Sequence, residues 1–224
     1  MVFFRHVFFK KPPDLKEKYL SGKRHYESPT GSLLPSVTTL LSSLSEDGIN
    51  AWRKRVGEVE ANKVMDYATK TGTEMHSIIE DYLNNKIDES EKNPRALKLF
   101  EQMKPELKRI NNIIAQEVPL YSDNLRLAGR VDCIGEFDGK LSIIDFKSSR
   151  KKKQKSWIKK YFLQATAYSI MFEELCGKKA DQIVILISAD DETVEAYIEK
   201  RDDWIEHLKL VIDDYYMRKD FDKT

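Results

Sequence analysis

The strongest chemical signal in the chain comes from Asp132, Asp145 and Lys147, which flank the dipeptide Asp138-Gly139. An Asp-Gly pair between two alternating apolar runs predicts a tight β-hairpin of type I′. In such a turn Phe137 faces Lys140, which sets Asp132 opposite Asp145 and Arg130 opposite Lys147, with Ile134 and Ile143 on the same sheet face. Two carboxylates opposed in this way have Cβ atoms about 5 Å apart, and like charges there are destabilising. A divalent cation offsets the repulsion, and Mg²⁺ or Mn²⁺ prefers carboxylate oxygens while keeping open water positions. A proton shared by the two acids is the other remedy. A one-residue slip of the hairpin would undo the pairing.

Other residues could join this chemistry. His76 sits on a predicted helix with Ile79, Glu80 and Leu83 at spacings of three, four and seven, so it faces the interior or a cleft. Glu117, on the preceding strand, is either an ordinary strand-end acid or a further ligand. Residues 147–160 hold eight Lys/Arg and no acid, with Trp157 embedded. Such a run is a solvated loop, or a grip on backbone phosphates with aromatic rings for unpaired bases. The contacts expected there are Arg130, Arg150, Lys151, Lys152, Lys153, Lys155 and Trp157, with Arg53 on an opposite wall. Ser36 and Thr38 read equally as a helix cap and as phosphate contacts. Gln164 and Tyr168 lie one helical turn apart, on one face with Tyr161 and Phe172, where core packing is the plain reading.

The elements that must position these residues are legible in outline. Residues 1–10 read as a strand stopped by Pro12-Pro13, followed by a hairpin over 24–26 and 32–34 and a helix capped by Ser36. Helices are predicted over 49–68, 74–83 and 94–111, with Thr71-Gly72-Thr73 breaking the first from the second and a polar loop over 84–93. Strands follow at 113–121, 127–137 and 140–147, then a helix over 161–175 ended by Gly177. Residues 183–188 form a continuous apolar run expected of a strand buried on both faces, with 193–198 beside it and a last helix from Asp202. The prediction is one α/β domain: an N-terminal part over 1–112, a catalytic sheet over 113–200 and a closing helix over 201–224.

Composition excludes several classes. The 224 residues carry 38 Lys/Arg and 37 Asp/Glu, a net charge of +1, so any nucleic-acid contact must come from local fields. Residues 181–224 hold 13 acids against six bases. There is no apolar run long enough for a membrane helix and no secretory signal. Two cysteines, Cys133 and Cys176, are too few for a disulfide framework or an iron–sulfur cluster. The expected setting is a reduced cytoplasm.

Taken together, Gly129-Arg130-Val131-Asp132 and Ile144-Asp145-Phe146-Lys147 resemble the D…DxK form of the PD-(D/E)XK nuclease signature. Gly72-Thr73-Glu74-Met75-His76 resembles the histidine helix of the RecB-like branch, and Gln164-Ala165-Thr166-Ala167-Tyr168 its QxxxY helix. Pro35-Ser36-Val37-Thr38 is similar to a segment of an exonuclease group in that branch with mitochondrial, bacterial and phage members. The resemblance spans residues 34–190. It implies a restriction-endonuclease-like core, with a mostly mixed central sheet flanked by helices and a helical N-terminal part. It implies one or two Mg²⁺ or Mn²⁺ ions held by His76, Asp132, Asp145 and the Phe146 carbonyl, with Glu117 as a further ligand. Lys147 would orient or deprotonate the attacking water, Gln164 would orient the site, and Tyr168 would hold substrate or Lys147. The implied activity is exonucleolytic hydrolysis of DNA, preferably single-stranded, by a monomer acting in replication, recombination or repair. A structure-specific endonuclease and a non-catalytic DNA-binding scaffold are the alternatives. With no Arg/Ser-rich leader ahead of the domain, a bacterial or phage source is expected.

Overall fold

A computed structural model describes residues 3–86 and 92–221. Part of the polar loop expected over 84–93 lies outside the described residues.

The centre is a five-stranded sheet in the order β4-β5-β6-β7-β8, made of β4 (Ile110–Ser122), β5 (Leu127–Phe137), β6 (Lys140–Ser149), β7 (Gln182–Ala189) and β8 (Val194–Lys200). Only β6 and β7 are parallel, joined by helix α5 (Lys159–Cys176), so the sheet is mixed. The Asp138-Gly139 turn has φ of 52° and 76°, as type I′ demands, and Phe137 pairs with Lys140. β7 is the apolar run foreseen over 183–188, and it is buried on both faces. α5 stops at Gly177, whose φ of 69° is left-handed.

Each face of the sheet carries its own apolar core. On one side Ile134, Ile143, Ile183 and Ile185 pack with Phe162, Leu163, Met171 and Phe172 of α5 and with Val37 and Leu40 of α1 (Val37–Ser43). On the other, Cys133, Ile144, Phe146 and Leu186 pack with Met75 and Ile79 of α3 (Glu58–Leu83) and with Leu99 and Met103 of α4 (Pro94–Leu107). The last helix, α6 (Ile205–Phe221), follows a short 3-10 turn over Arg201–Trp204. A small antiparallel sheet of β1 (Lys16–Leu20), β2 (Lys23–Glu27) and β3 (Leu33–Pro35) docks by a bridge between Ser36 and Ala128 at the start of β5.

Three expectations need correction. Residues 3–10 form no strand: Phe3 and Phe8 are exposed while Phe4 is an anchor in the core. The segment makes one bridge, His6 to Ile113, beside β4. β1 was not foreseen, because its residues are exposed and polar and carry no apolar alternation. Thr71-Gly72-Thr73 does not break a helix. α3 runs through it, with Thr71 buried and Gly72 facing Ser148 of β6, and the break falls at Gly57, between α2 (Glu46–Val56) and α3.

Candidate active site

His76 projects from α3 onto the face of the sheet over β4, β5 and β6. Its Nε2 lies 2.8 Å from the Phe146 carbonyl, and because a carbonyl only accepts, Nε2 carries the proton and donates. That bond turns Nδ1 towards Glu117 Oε1 and Asp132 Oδ2, each 3.7 Å away. One donor atom each from His76, Glu117 and Asp132 lie within 4.8 Å of one another. His76 and Glu117 line a cleft of about 820 Å³ with Arg24, Thr73, Glu80 and Arg130. Another cleft, about 760 Å³, lies at the far end of the sheet between Lys140, Gln182 and Lys200 and holds none of these residues.

The sheet is irregular at this point. Pairing runs through Gln116–Cys133 and resumes at Val118–Val131, skipping Glu117 and Asp132 between them. Glu117 has φ of 48°, a conformation few residues other than glycine adopt without cost. The interruption reverses the alternation. Ala115 and Ile134 before it, and Val118 and Val131 after it, all pack in the α5-side core. Asp132 is thereby turned towards α3 and His76. The hairpin register holds as far as Cys133–Ile144, and beyond it the ladder gives way to a side-chain bond in which Phe146 N–H donates to Asp132 Oδ2 at 2.9 Å.

This corrects the expectation that Asp132 and Asp145 share a face. Asp145 keeps the parity of Ile143, on the α5 side, and it is not in the trio with His76. Its Oδ2 lies 2.5 Å from Lys147 Nζ, and among the described residues Oδ1 has no hydrogen-bond partner. Burial raises the Asp145 carboxyl, the Lys147 ammonium pulls it back, and the Asp132 charge raises it further. Burial works against the Lys147 cation, but Asp145 and then Asp132 outweigh it and lift the ammonium above its ordinary value.

Lys147 lies over the ring of Tyr161, 5.2 Å from its centroid. The tyrosine beside the lysine is therefore Tyr161, whereas the resemblance implied that Tyr168 holds either substrate or this lysine. Tyr168 is buried further along α5, and burial pushes its hydroxyl up. Gln164 lies between them on the same stripe and is also buried. A Cβ on Gly129 would come within 2.7 Å of the Tyr168 hydroxyl, so only glycine permits this contact. Gly129→Ala should lower the melting temperature by several degrees, the effect of a steric cost of about 1–3 kcal/mol. Calorimetry on the pair of proteins checks it.

The residues expected to meet nucleic acid are scattered. Ser36 is fully buried, and its hydroxyl caps α1 by accepting from Thr39 N–H at 2.9 Å, which leaves it no surface for a phosphate. Thr38 is exposed beside it. Arg53 is committed to Glu58 and Asn62 on the neighbouring helix, at 2.5 and 2.6 Å. The basic run lies along edge strand β8, where Lys152 pairs with Glu195 at 2.6 Å and Lys155 pairs with Glu199. Those two lysines neutralise the sheet edge, while Arg150, Lys151, Lys153 and Trp157 remain at the surface. Arg130 Nη1 donates to the Glu117 carbonyl at 2.5 Å and lines the cleft. Arg24 also lines it, and no motif marked that residue.

Residues 95–223, more than half of the chain, match the model of the PD-(D/E)XK nuclease superfamily. The chain belongs to that superfamily. Among curated proteins it is similar to the mitochondrial genome maintenance exonuclease 1 of Homo sapiens, at 27% identity over 150 residues. That match covers 61% of this chain and 43% of the relative. The Mus musculus counterpart is 26% identical over 151 residues, covering 59% and 44%. The chain thus aligns with less than half the length of these curated relatives. A crystal structure of a candidate exonuclease from Eubacterium rectale superposes with a TM-score of 0.47 at 13% identity, covering 67% of this chain and 65% of the other.

One nitrogen and two carboxylates are a donor set suited to a hard divalent cation such as Mg²⁺ or Mn²⁺. Burial alone would depress the His76 ring, but the carboxylates of Asp132 and Glu117 beside it raise it from 6.5 to about 9. A metal taking Nδ1 must displace that proton. Binding should therefore tighten roughly tenfold per pH unit up to about 9 and release about one proton at pH 7.5. Calorimetry in buffers of different ionisation enthalpy reads the release. The sign for folding follows from the same shift. A raised imidazole stabilises the fold fully below about 6.5, and the gain is lost as pH rises through about 9.

Proposed function

We propose that this nuclease-superfamily chain is a metal-dependent exonuclease that hydrolyses DNA phosphodiester bonds, with a preference for single strands. The reading rests above all on the convergence of His76, Glu117 and Asp132, with His76 and Glu117 opening into one cleft and the Asp145–Lys147 pair close enough for the His76 ring to feel both charges. Their similarity to two proteins named as exonucleases supports the mode of attack. His76, Glu117 and Asp132 would hold a divalent ion, with Asp145 adjoining them. When bound, the ion lowers the pKa of a water and neutralises phosphate charge.

The chain's own residues do the rest. The Phe146 carbonyl fixes the His76 ring so that Nδ1 faces the acids. The Phe146 N–H anchors Asp132. Asp145 and Tyr161 hold Lys147 as a cation, placed to orient the attacking water and to balance charge developing on the phosphoryl oxygens. Gln164 and Tyr168, on the same α5 stripe, support that arrangement from beneath.

The test uses single-stranded and duplex DNA labelled at either end, with Mg²⁺ or Mn²⁺, and EDTA as control. The expected outcome is metal-dependent shortening from an end, faster on single strands, and the first label lost reports the polarity. Internal cuts would establish an endonuclease instead. Intact DNA under every condition would overturn the enzymatic reading.

A further inference from the structure

We propose that Arg24 and Arg130 form a phosphodiester-binding clamp on the wall of the cleft. The small N-terminal sheet would then serve to carry Arg24 to the catalytic sheet. The proposal rests on the nuclease reading above and deepens it by naming where the strand is gripped.

Arg24 lines the same cleft as His76, Glu117 and Arg130. Among the described residues neither arginine has a carboxylate partner, in contrast to Arg53, Lys152 and Lys155. Both are nevertheless fixed. The Arg24 guanidinium sits 5.7 Å from the ring centroid of Tyr26, a fully buried side chain, and donates from Nη2 to Thr38 Oγ1 at 3.2 Å. The Thr38 hydroxyl is itself hydrogen-bonded to Ser36 at 2.9 Å. The Arg24 backbone is pinned as well, since its carbonyl accepts from Ser36 N–H and from the Thr39 hydroxyl, each at 2.9 Å. Arg130 is fixed by its bond to the Glu117 carbonyl.

Two immobilised guanidinium groups, neither of them in an ion pair among the described residues, make an arrangement that attracts an external anion. The planar fork of arginine matches a phosphate bidentately, and one bond to Thr38 leaves most of its five donors free. A DNA strand supplies the phosphate and lies across the acids at the same time. The Pro35-Ser36-Val37-Thr38 segment then contributes by holding Arg24, not by touching DNA through Ser36.

The experiment is fluorescence anisotropy of labelled oligothymidylate in EDTA, titrated with protein at several salt concentrations. Arg24→Ala should raise Kd about tenfold or more and lower the slope of log K against log salt by about 0.7, the value for one lost phosphate contact on a single strand. Arg24→Lys should weaken binding less and keep the slope. Arg24→Gln, which retains most of the stem, guards against a folding defect and should lose the slope as the alanine variant does. Lys200→Ala, at the far end of the sheet, should leave both readings unchanged. Wild-type affinity and slope in Arg24→Ala and Arg24→Gln would overturn the clamp while the nuclease reading stands. Failure of the wild-type protein to bind the oligonucleotide would overturn the clamp, while the nuclease reading stands or falls on the end-labelled digestion.

Discussion

Lys147→Met is expected to reduce DNA hydrolysis by about a thousandfold or more, within the range that positioned proton-transfer and charge-stabilising groups contribute. The same change strands Asp145, which is 1% exposed and has Lys147 as its ion-pair partner. Breaking one side of a buried pair costs about 3–5 kcal/mol when the remaining group stays charged. Asp145 has an escape, because burial already raises its carboxyl and loss of the ammonium raises it further. A carboxyl whose folded pKa is raised contributes stability that is complete below its unfolded value near 3.9 and is lost as pH rises through the folded pKa. The stability gap between variant and wild type should therefore be wide at about pH 8 and narrow at about pH 5. Denaturant melts at the two pH values check this. Adding Asp145→Asn to the variant should restore stability at pH 8 and leave hydrolysis abolished, which separates the chemical role from the structural one. A gap independent of pH would contradict the account.

Asp132→Asn should have the second largest effect. Asparagine keeps an oxygen that can accept from Phe146 N–H, so the substitution removes charge and little else. Asp132 is the largest of the influences that raise His76 to about 9. Without it, burial should pull the ring back towards or below its ordinary 6.5. NMR titration of the imidazole carbon-bound protons reads the shift directly. Metal affinity should fall by about tenfold or more, and hydrolysis by at least as much. A His76 titration unchanged in the variant would show that the ring does not sense Asp132 as the geometry requires.

The hairpin was legible because local chemistry fixes it. Asp138-Gly139 permits one tight turn, and five cross-strand pairs follow from it. The buried strand β7 and the helix α5 were legible for the same kind of reason, an unbroken apolar run and a helix stopped by glycine. Period-two reasoning fails one residue beyond the last of those pairs, at Asp132. There the ladder with β4 is interrupted by Glu117 in a left-handed conformation. Nothing in a Gln-Glu-Val triplet announces that φ will be positive, so the promotion of Glu117 beside His76 could be raised only as one of two readings. The long helix α3 hid its continuity because Thr71-Gly72-Thr73 has weak helix formers, and tertiary packing against β6 overrides them. Basic residues were the least legible. Whether a cation is free depends on acids far away in the chain, as Glu195 and Glu199 are for Lys152 and Lys155. Arg24 stayed unmarked for the converse reason, since its worth lies in having no acid paired with it among the described residues.

The central claim is that His76, Glu117 and Asp132 hold the metal that the superfamily's chemistry requires. Anomalous diffraction from crystals grown with Mn²⁺ tests it most directly. The account predicts a peak bounded by His76 Nδ1 and the carboxylates of Glu117 and Asp132, absent from crystals of Asp132→Asn grown in the same way. A Mn²⁺ peak elsewhere in the molecule, with these three side chains unengaged, would contradict it.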